Sequence, residues 1–256
     1  MAKKENIDGI ISPATDVSVP TAAYVAEQIN LPNIPLDSAV LLTNKTLFRQ
    51  FLKEKKIPTP QVISPINDAL LELNFQNGQV WIIKPSISSG SKGVFVVSNK
   101  EDLYKYLTIS QSMSKNGEVI LEKYIEGSQH TCEGILDRGK VKLALITDRN
   151  TAPLPYTTTI GHRVPTRLSA YLQHQAIQAI QNIFSLLHIE SGPFDCDFVA
   201  TEKHIVILLE MTPRLGGNSL SQLVRSALAF DLVTYAVAHA CGDKYPLPTE
   251  IGRAHV

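Results

Sequence analysis

Two short apolar segments that carry carboxylates constrain the fold more than any other part of this sequence. They read DCDFV, at 195–199, and LLEMT, at 208–212, and a short polar stretch separates them. Their composition and spacing predict two antiparallel β-strands joined by a turn. Because side chains alternate along a strand, Glu210 and either Asp195 or Asp197 are expected to project from the same face of a sheet.

Neighbouring carboxylates in apolar strands are costly unless something neutralises them. A bound cation would do so, and oxygen ligands favour Mg²⁺. Arg214, four residues after Glu210, is expected to face the same region and can bind phosphate oxygens through its planar guanidinium. The alternative is that the acidic residues pair with Arg214 for structural reasons alone.

The segment KPSISSGSKG, at 84–93, raises a related question. It lacks the spacing of the familiar nucleotide-binding motifs, yet its small residues leave backbone N–H groups accessible, as phosphate binding requires. Lys84 ends an apolar strand beside this segment, and Lys92 lies within it. The segment is either a phosphate-binding loop or a polar hairpin. Its small residues are Ser88, Ser89, Gly90, Ser91 and Gly93.

A third candidate is ILEKYIEGSQH, at 120–130. A strand that leads into Glu122, Lys123, Tyr124 and Ile125 offers backbone donors, backbone acceptors and an apolar surface, as an adenine ring needs. An ordinary edge strand would have the same composition.

The order of the elements predicts an α+β protein. Five β-rich segments within 78–147 indicate one subdomain, with Ser98 and Glu101 as a capping box before its helix. A second unit is expected to begin after a proline-spaced loop at 150–167 and to end near Gly242. Near the N-terminus, residues 7–12 have the composition of a buried strand. The five segments are 80–84, 93–97, 118–125, 131–136 and 140–147.

Composition narrows the class of protein. The 24 basic and 24 acidic residues among 256 balance, so no overall field would attract nucleic acid or a membrane surface. The cysteines Cys132, Cys196 and Cys241 are widely spaced in apolar sequence and are expected to be core thiols in a reducing compartment. No signal peptide is evident, so we expect a cytoplasmic protein.

Together these motifs resemble the ATP-grasp superfamily, and most closely its carboxylate-amine or L-amino-acid ligases. The resemblance covers about residues 39–242 and rests on four segments in family order. It implies two α+β subdomains that hold ATP between them, with a partial α/β segment at 1–38 before an ATP-grasp domain at 39–256. The lid subdomain would be about 78–147 and the metal-binding subdomain about 148–242. The four segments are NK at 44–45, IIKPSISSGSKGV at 82–94, LEKYIEG at 121–127 and DFV…LLEMTPRLGGN at 197–218.

The resemblance also assigns roles. Lys45 and Lys84 would contact phosphate, Ser88 to Gly93 would form the mobile loop over it, and Glu122 to Ile125 would meet adenine. Gln129 or His130 would lie near the ribose. Asp197 and Glu210 would hold Mg²⁺, or Mn²⁺, with Thr212 at a position where the family commonly has asparagine. Arg214, Lys84 and Asn218 would act on the transferred phosphate or the acyl intermediate.

The implied reaction is attack by a substrate carboxylate on the γ-phosphate of ATP, followed by capture of the acyl phosphate by an amine. The substrates would be small molecules, without nucleic acid or membrane, and a homodimer or a partner chain could supply a missing N-terminal region. The alternative is an ATP-binding module or truncated ATP-grasp protein without ligase activity of its own. We also considered that the loop at 148–163 selects the substrate through His162 or Arg163, against a plain connecting loop.

Overall fold

The computed structural model describes residues 2–64, 66, 71, 75 and 78–247 and shows two antiparallel sheets with helices packed on them. The end of the expected ATP-grasp domain, 248–256, lies outside the described residues. The described helices are α1 (Ala2–Glu5), α2 (Val19–Gln28), α3 (Leu36–Thr43), α4 (Lys45–Glu54), α5 (Lys100–Met113), α6 (Ala170–Leu186), α7 (Leu220–Leu228) and α8 (Leu232–Cys241). The strands are β1 (Val62–Ile63), β2 (Trp81–Pro85), β3 (Phe95–Val97), β4 (Val119–Lys123), β5 (Ser128–Asp137), β6 (Lys140–Thr151), β7 (Thr159–Arg163), β8 (Gly192–Ala200) and β9 (Val206–Thr212).

The smaller sheet has the order β1-β4-β2-β3, and α5 packs on one of its faces. Trp81 and Ile83 of β2 are fully buried there with Leu103 of α5. The helix begins one residue later than the capping box predicted, because the Asn99 side chain, and not that of Ser98, accepts a hydrogen bond from the N–H of Asp102. Asn is among the best N-cap residues, which explains the shift.

The larger sheet has the order β7-β6-β5-β8-β9. It includes β5 and β6, although their sequence segments were assigned to the lid with the strands of the smaller sheet. The division between the sheets therefore falls after β4 and not at residue 147, because β5 pairs with β8 along its whole length. Arg138 and Gly139 form the β5–β6 turn, and both have positive φ, as a two-residue hairpin turn requires.

The two faces of the larger sheet have different roles. One face carries Cys132, Phe194, Cys196 and Phe198 into the main core, which α6 covers together with side chains of α4. The opposite face is covered by α7 and α8 at one end, and at the other end it forms the floor of a cleft below the smaller sheet. Asn44 caps the N-terminus of α4, since its side chain accepts hydrogen bonds from two N–H groups of the first turn.

The expectation of a strand at residues 7–12 was wrong. This segment joins neither sheet, because the described chain places no strand beside it to complete a ladder. It runs across the end of α8, where a Cβ added at Gly9 would lie 2.8 Å from the Ala240 carbonyl oxygen. No single described helix is long and apolar enough to cross a membrane; α7 and α8 reach that composition only as a pair bent by 108°.

The centre of the larger sheet tolerates no side chain at Gly134. A Cβ there would collide with the Leu143 carbonyl oxygen and would lie 2.7 Å from the Phe194 ring. We therefore expect Gly134→Ala to lower the free energy of unfolding by about 1–3 kcal/mol, measured by urea denaturation. Gly161→Ala on the edge strand β7 is the matched control, since nothing lies within 4 Å of its added Cβ. Equal stability of the two variants would contradict this packing.

Candidate active site

A cavity of about 430 Å³ lies between the two sheets and collects most of the residues that the sequence singled out. It is lined by strand ends from both sheets, by the loop after β2, and by the segments that follow β4 and β9. The predicted site residues that line it are Lys45, Lys84, Ser88, Ser89, Gly90, Ser91, Lys92, Glu122, Lys123, Tyr124, Ile125, Gln129, Asp197, Glu210, Arg214 and Asn218.

Asp197 and Glu210 lie directly opposite each other on β8 and β9, as expected. A β-bulge sets this pairing, because the register shifts between Asp197 and Phe198 and leaves Leu209 as the extra residue. Leu209 and Glu210 therefore both line the cavity, although adjacent strand residues normally face opposite sides. The sequence predicted which carboxylates would meet, but not the bulge.

Each of these carboxylates already contacts a cation. The Lys45 ammonium donates to Glu210 Oε1 at 3.1 Å, and an Arg149 guanidinium nitrogen lies 3.1 Å from Asp197 Oδ2. The Thr131 hydroxyl donates to Asp197 Oδ1 at 2.5 Å. Burial alone would raise the pKa of Glu210, but Lys45 and then Arg214 outweigh it and hold that pKa below its usual value.

Glu122 begins the segment 122–125 at the end of β4, called the hinge from here on. Its carboxylate accepts hydrogen bonds from two cations. Lys84 donates to Glu122 Oε2 at 2.6 Å, and Arg49 donates to Glu122 Oε1 at 2.7 Å. All three side chains are almost completely buried. Glu122 lines the cavity and each of its oxygens already accepts one hydrogen bond, so its contact with adenine stays a prediction. Burial lowers the pKa of Lys84, and the charge of Arg49 adds to this effect while Glu122 opposes it.

The hinge after β4 offers one unused backbone donor. The N–H of Lys123 donates to the Gln61 carbonyl and that of Tyr124 to the Val80 carbonyl. The N–H of Ile125 has no hydrogen-bond partner within the described part of the chain. Ile125 is therefore the hinge residue whose N–H is available to a ring nitrogen of a bound base.

Arg214 lies in a network of acidic side chains that the sequence did not fully predict. It donates to Asp16 through two nitrogens, at 2.8 and 2.5 Å, and to Asp195 at 2.8 Å. Burial raises the pKa of Asp195 to about 6, despite Arg214. Burial and then the charge of Asp195 also raise the pKa of Glu133 well above its usual value.

Three predicted site residues do not line the cavity. His130 lies on the opposite face of β5, where its ring stacks on Phe198 at 5.3 Å. Gly93 packs against Pro85 outside the loop. Thr212 is 1% exposed and is not among the lining residues, so its role as a metal ligand stays a prediction.

Several cavity residues were missed or left open. Asp16 is distant in sequence, and Arg149, Thr157 and Thr159 lie in or next to a hairpin that was read as a loop. His162, one of the two candidates for substrate selection, lines the cavity, whereas Arg163 does not. Alternation along β6 and β7 was the signal that could have identified Arg149 and His162.

The donor set fits a divalent cation. Asp197 and Glu210 present hard carboxylate oxygens to one space, and Mg²⁺ commonly binds one or two carboxylates while water and phosphate oxygens complete its shell. The described residues contain no group of three acidic, histidine or cysteine side chains arranged around one ion. Asp197 and Glu210 would thus hold the ion only together with a phosphate ligand.

Glu122 also makes stability depend on pH. Burial alone would raise its pKa, but Arg49 and Lys84 outweigh burial and hold it at about 2, below the usual 4.5. A carboxyl group with a depressed folded pKa stabilises the fold above its unfolded pKa and loses that contribution as pH falls through the folded value. The contribution is therefore complete above pH 4.5 and lost towards pH 2. It amounts to roughly 3 kcal/mol.

We expect Glu122→Gln to lower the free energy of unfolding at pH 7 by about 3–5 kcal/mol, because two buried cations lose their partner. The dependence of that free energy on pH between 4.5 and 2 should also become shallower. Urea denaturation at a series of pH values measures both. Glu118→Gln, at an exposed position just before β4, is the control. Identical pH profiles for wild type and Glu122→Gln would show that the buried pair does not have this effect.

Comparison with known proteins identifies the family. The ATP-grasp domain model matches residues 78–222, more than half of the chain. The chain is 26% identical over 249 residues to the uncharacterized protein y4rH of Sinorhizobium fredii, covering 95% of this chain and 51% of that protein. It is 21% identical over 231 residues to the L-arginine-specific L-amino acid ligase of Bacillus subtilis, covering 88% of this chain and 55% of that protein. This chain thus spans about half the length of these curated relatives.

A solved structure shows the same fold. The crystal structure of an L-amino acid ligase from Bacillus licheniformis superimposes with a TM-score of 0.78 at 18% sequence identity, covering 94% of this chain and 57% of that one. The sequence match and the fold agree with the cavity between two α+β units, and this chain belongs to the ATP-grasp family.

Proposed function

We propose that this chain is an ATP- and Mg²⁺-dependent ligase that activates a substrate carboxylate as an acyl phosphate, which an amine captures to form a C–N bond. The observation that carries the proposal is the Asp197–Glu210 pair, which faces the same cavity as Lys45, Lys84 and Arg214. Two opposed carboxylates surrounded by cations are suited to a metal-bound polyphosphate.

Each of these residues would have a role that follows from its position in the cavity. Mg²⁺ held by Asp197 and Glu210 would neutralise charge on the transferred phosphoryl group, and Mn²⁺ has the same preference for oxygen ligands. Lys45 contacts both Glu210 and the Ser88 carbonyl, so its ammonium lies between the carboxylate pair and the serine-glycine loop. This is where a phosphate chain would pass. Lys84 and Arg214 would be the other cations that contact the phosphate oxygens.

The loop after β2 would cover the nucleotide. Its residues from Ser88 to Lys92 line the cavity, and Ser91 and Gly90 both have positive φ, so successive backbone N–H groups can turn towards an anion. Closure of this loop would exclude water from the acyl phosphate. Asn218 lines the opposite side of the cavity, where the acyl group would lie.

A second candidate is an ATP-binding module that lacks ligase activity of its own. It is favoured by one observation: the chain corresponds to about half the length of its curated relatives. In that case a second copy or a partner chain would complete the substrate site. The small-molecule substrates of the ligase, a carboxylate and an amine, would then bind only in the assembly.

Turnover separates the two candidates. The chain is incubated with Mg·ATP and a panel of L-amino acids and small carboxylates, and hydroxylamine is added to trap any acyl phosphate as a hydroxamate. We expect hydroxamate and ADP to form together with at least one carboxylate. Binding of Mg·ATP without hydroxamate from any carboxylate would favour the binding module.

Glu210→Gln tests the metal role. The variant is expected to lose at least about 100-fold in hydroxamate formation, because a charged ligand becomes neutral at the transferring phosphate. Its circular dichroism spectrum should match that of wild type. Glu202→Gln, exposed in the turn of the same hairpin, is the matched control and should retain full turnover. Full turnover by Glu210→Gln would reject the metal role.

A further inference from the structure

The segment before α2 brings one carboxylate to the edge of the cavity. Asp16 begins a short 3₁₀ helix (Asp16–Ser18), and the Ser12 hydroxyl donates to the Thr15 carbonyl at 2.6 Å, which holds the segment in place. The Asp16 side chain is only 6% exposed, yet Asp16 lines the 430 Å³ cavity together with Ala14 and Thr15. The function proposed above gives Asp16 no role.

The two oxygens of Asp16 have different surroundings. Oδ1 accepts both hydrogen bonds from Arg214, at 2.8 Å from Nε and 2.5 Å from Nη2. Oδ2 has no hydrogen-bond partner among the residues that the structure describes, and it is not one of the fully buried polar atoms that lack a partner. A ligand in the cavity can therefore reach Oδ2. A carboxylate oxygen without a partner in so buried a side chain is unusual unless a ligand supplies one.

The charges around Asp16 favour a cation beside Oδ2. The single positive charge of Arg214 faces two carboxylates, those of Asp16 and Asp195. Asp195 is ionised at neutral pH, since its pKa is about 6. Burial and then the charge of Glu210 raise the pKa of Asp16, while Arg214 and then Lys45 lower it. One more positive charge would balance the second carboxylate, as a nearly buried charge requires.

The cation that fits is an ammonium group. A divalent metal needs several oxygen ligands, and the described part of the chain has no group of three acidic, histidine or cysteine side chains around one ion. An ammonium group has three N–H donors and needs only acceptors, of which Oδ2 is one. Arg214, which is proposed to contact the transferred phosphate, binds Asp16 directly. The ammonium group would thus lie close to the carboxylate that is activated, as it does in an α-amino acid.

We propose that Asp16 determines substrate specificity, because its Oδ2 accepts a hydrogen bond from the α-ammonium group of the substrate whose carboxylate is phosphorylated. The proposal rests on the ligase function proposed above. It assigns one residue to the choice between amino acids and carboxylates that lack an amino group. It also gives the segment before α2 a direct part in the site.

Pairs of substrates that differ only in this group test the proposal. L-Lactate and L-phenyllactate carry a hydroxyl where L-alanine and L-phenylalanine carry the ammonium group. Hydroxylamine serves as the nucleophile, so that only activation of the carboxylate is compared. In wild type, kcat/KM for hydroxamate formation should be at least about 30-fold higher for the amino acid of a pair than for its hydroxy acid. Equal values for the two members of a reacting pair would overturn the proposal.

Asp16→Asn replaces the free oxygen with a hydrogen-bond donor. The remaining oxygen can still accept from Arg214, whereas the amide NH₂ would face the ammonium group of the substrate. This variant should lose much more kcat/KM with the amino acid than with the hydroxy acid, so that the preference falls from at least about 30-fold to within about 3-fold. Asp8→Asn, exposed in the same N-terminal segment, is the matched control and should keep the preference of wild type.

Asp195→Asn separates recognition of the substrate from positioning of Arg214. Asp195 also accepts a hydrogen bond from Arg214, but its other oxygen, Oδ1, is fully buried and cannot reach a substrate. This variant should therefore change kcat/KM for both members of a pair by similar factors. If Asp16→Asn likewise lowers both values equally, Asp16 only positions Arg214 and the recognition role is rejected.

Binding distinguishes failure of this inference from failure of the proposed function. Calorimetric titration of each substrate pair into the protein saturated with Mg·ADP requires no turnover. Wild type should bind the amino acid of a pair at least about 30-fold more tightly than the hydroxy acid, and Asp16→Asn should remove this difference. The same binding preference without hydroxamate from any carboxylate would reject the ligase function and retain the role of Asp16. Hydroxamate formation by wild type without such a preference would reject the role of Asp16 alone.

Discussion

The buried carboxylate of Glu122 joins the parts of this molecule that must act together. It binds Lys84 of β2 and Arg49 of α4, while Arg49 also donates to the Leu209 carbonyl at 2.6 Å. Leu209 is the extra residue of the bulge that aligns Glu210 with Asp197. One anion thus connects the smaller sheet, the helix that carries Lys45, and the strand that carries the proposed metal ligand. Two buried cations on one carboxylate need that carboxylate to remain charged, which its depressed pKa ensures.

The charged side chains of the cavity form ion pairs with one another. Lys45 faces Glu210, Arg149 faces Asp197, and Arg214 faces Asp195 and Asp16. A metal ion bound to the Asp197–Glu210 pair would take over the role of Lys45 and Arg149 there, and both cations would then be available to phosphate oxygens. Binding would therefore exchange partners: the metal would face the two carboxylates, and the two cations would face phosphate oxygens. This requires the metal and the polyphosphate to enter together.

The sequence predicted most of the strands, the carboxylate pair and the basic residues other than Arg149, because each has a local signal: alternation, small residues or an apolar run before a charge. It could not predict which sheet β5 and β6 would join, since strand pairing is decided by long-range contacts that alternation does not encode. Asp16 was missed for the same reason, because 198 positions separate it from Arg214. The resemblance named Gln129 or His130, because family order specifies a neighbourhood and not a face, and of the two only Gln129 lines the cavity. Counting from Thr131, which contacts Asp197, would have assigned His130 to the opposite face.

The same alternation explains how β6 and the edge strand β7 contribute side chains to the cleft. On β6, Thr147 and Arg149 share the cleft face, and they pair across to β7, where His162 lies opposite Arg149. Arg149 is held by Asp197 and by the hydroxyl of Thr159. His162 is held by Thr147 and also lines the cavity. A guanidinium and an imidazole on adjacent strands thus lie on the same face of the sheet, within about one strand spacing of each other.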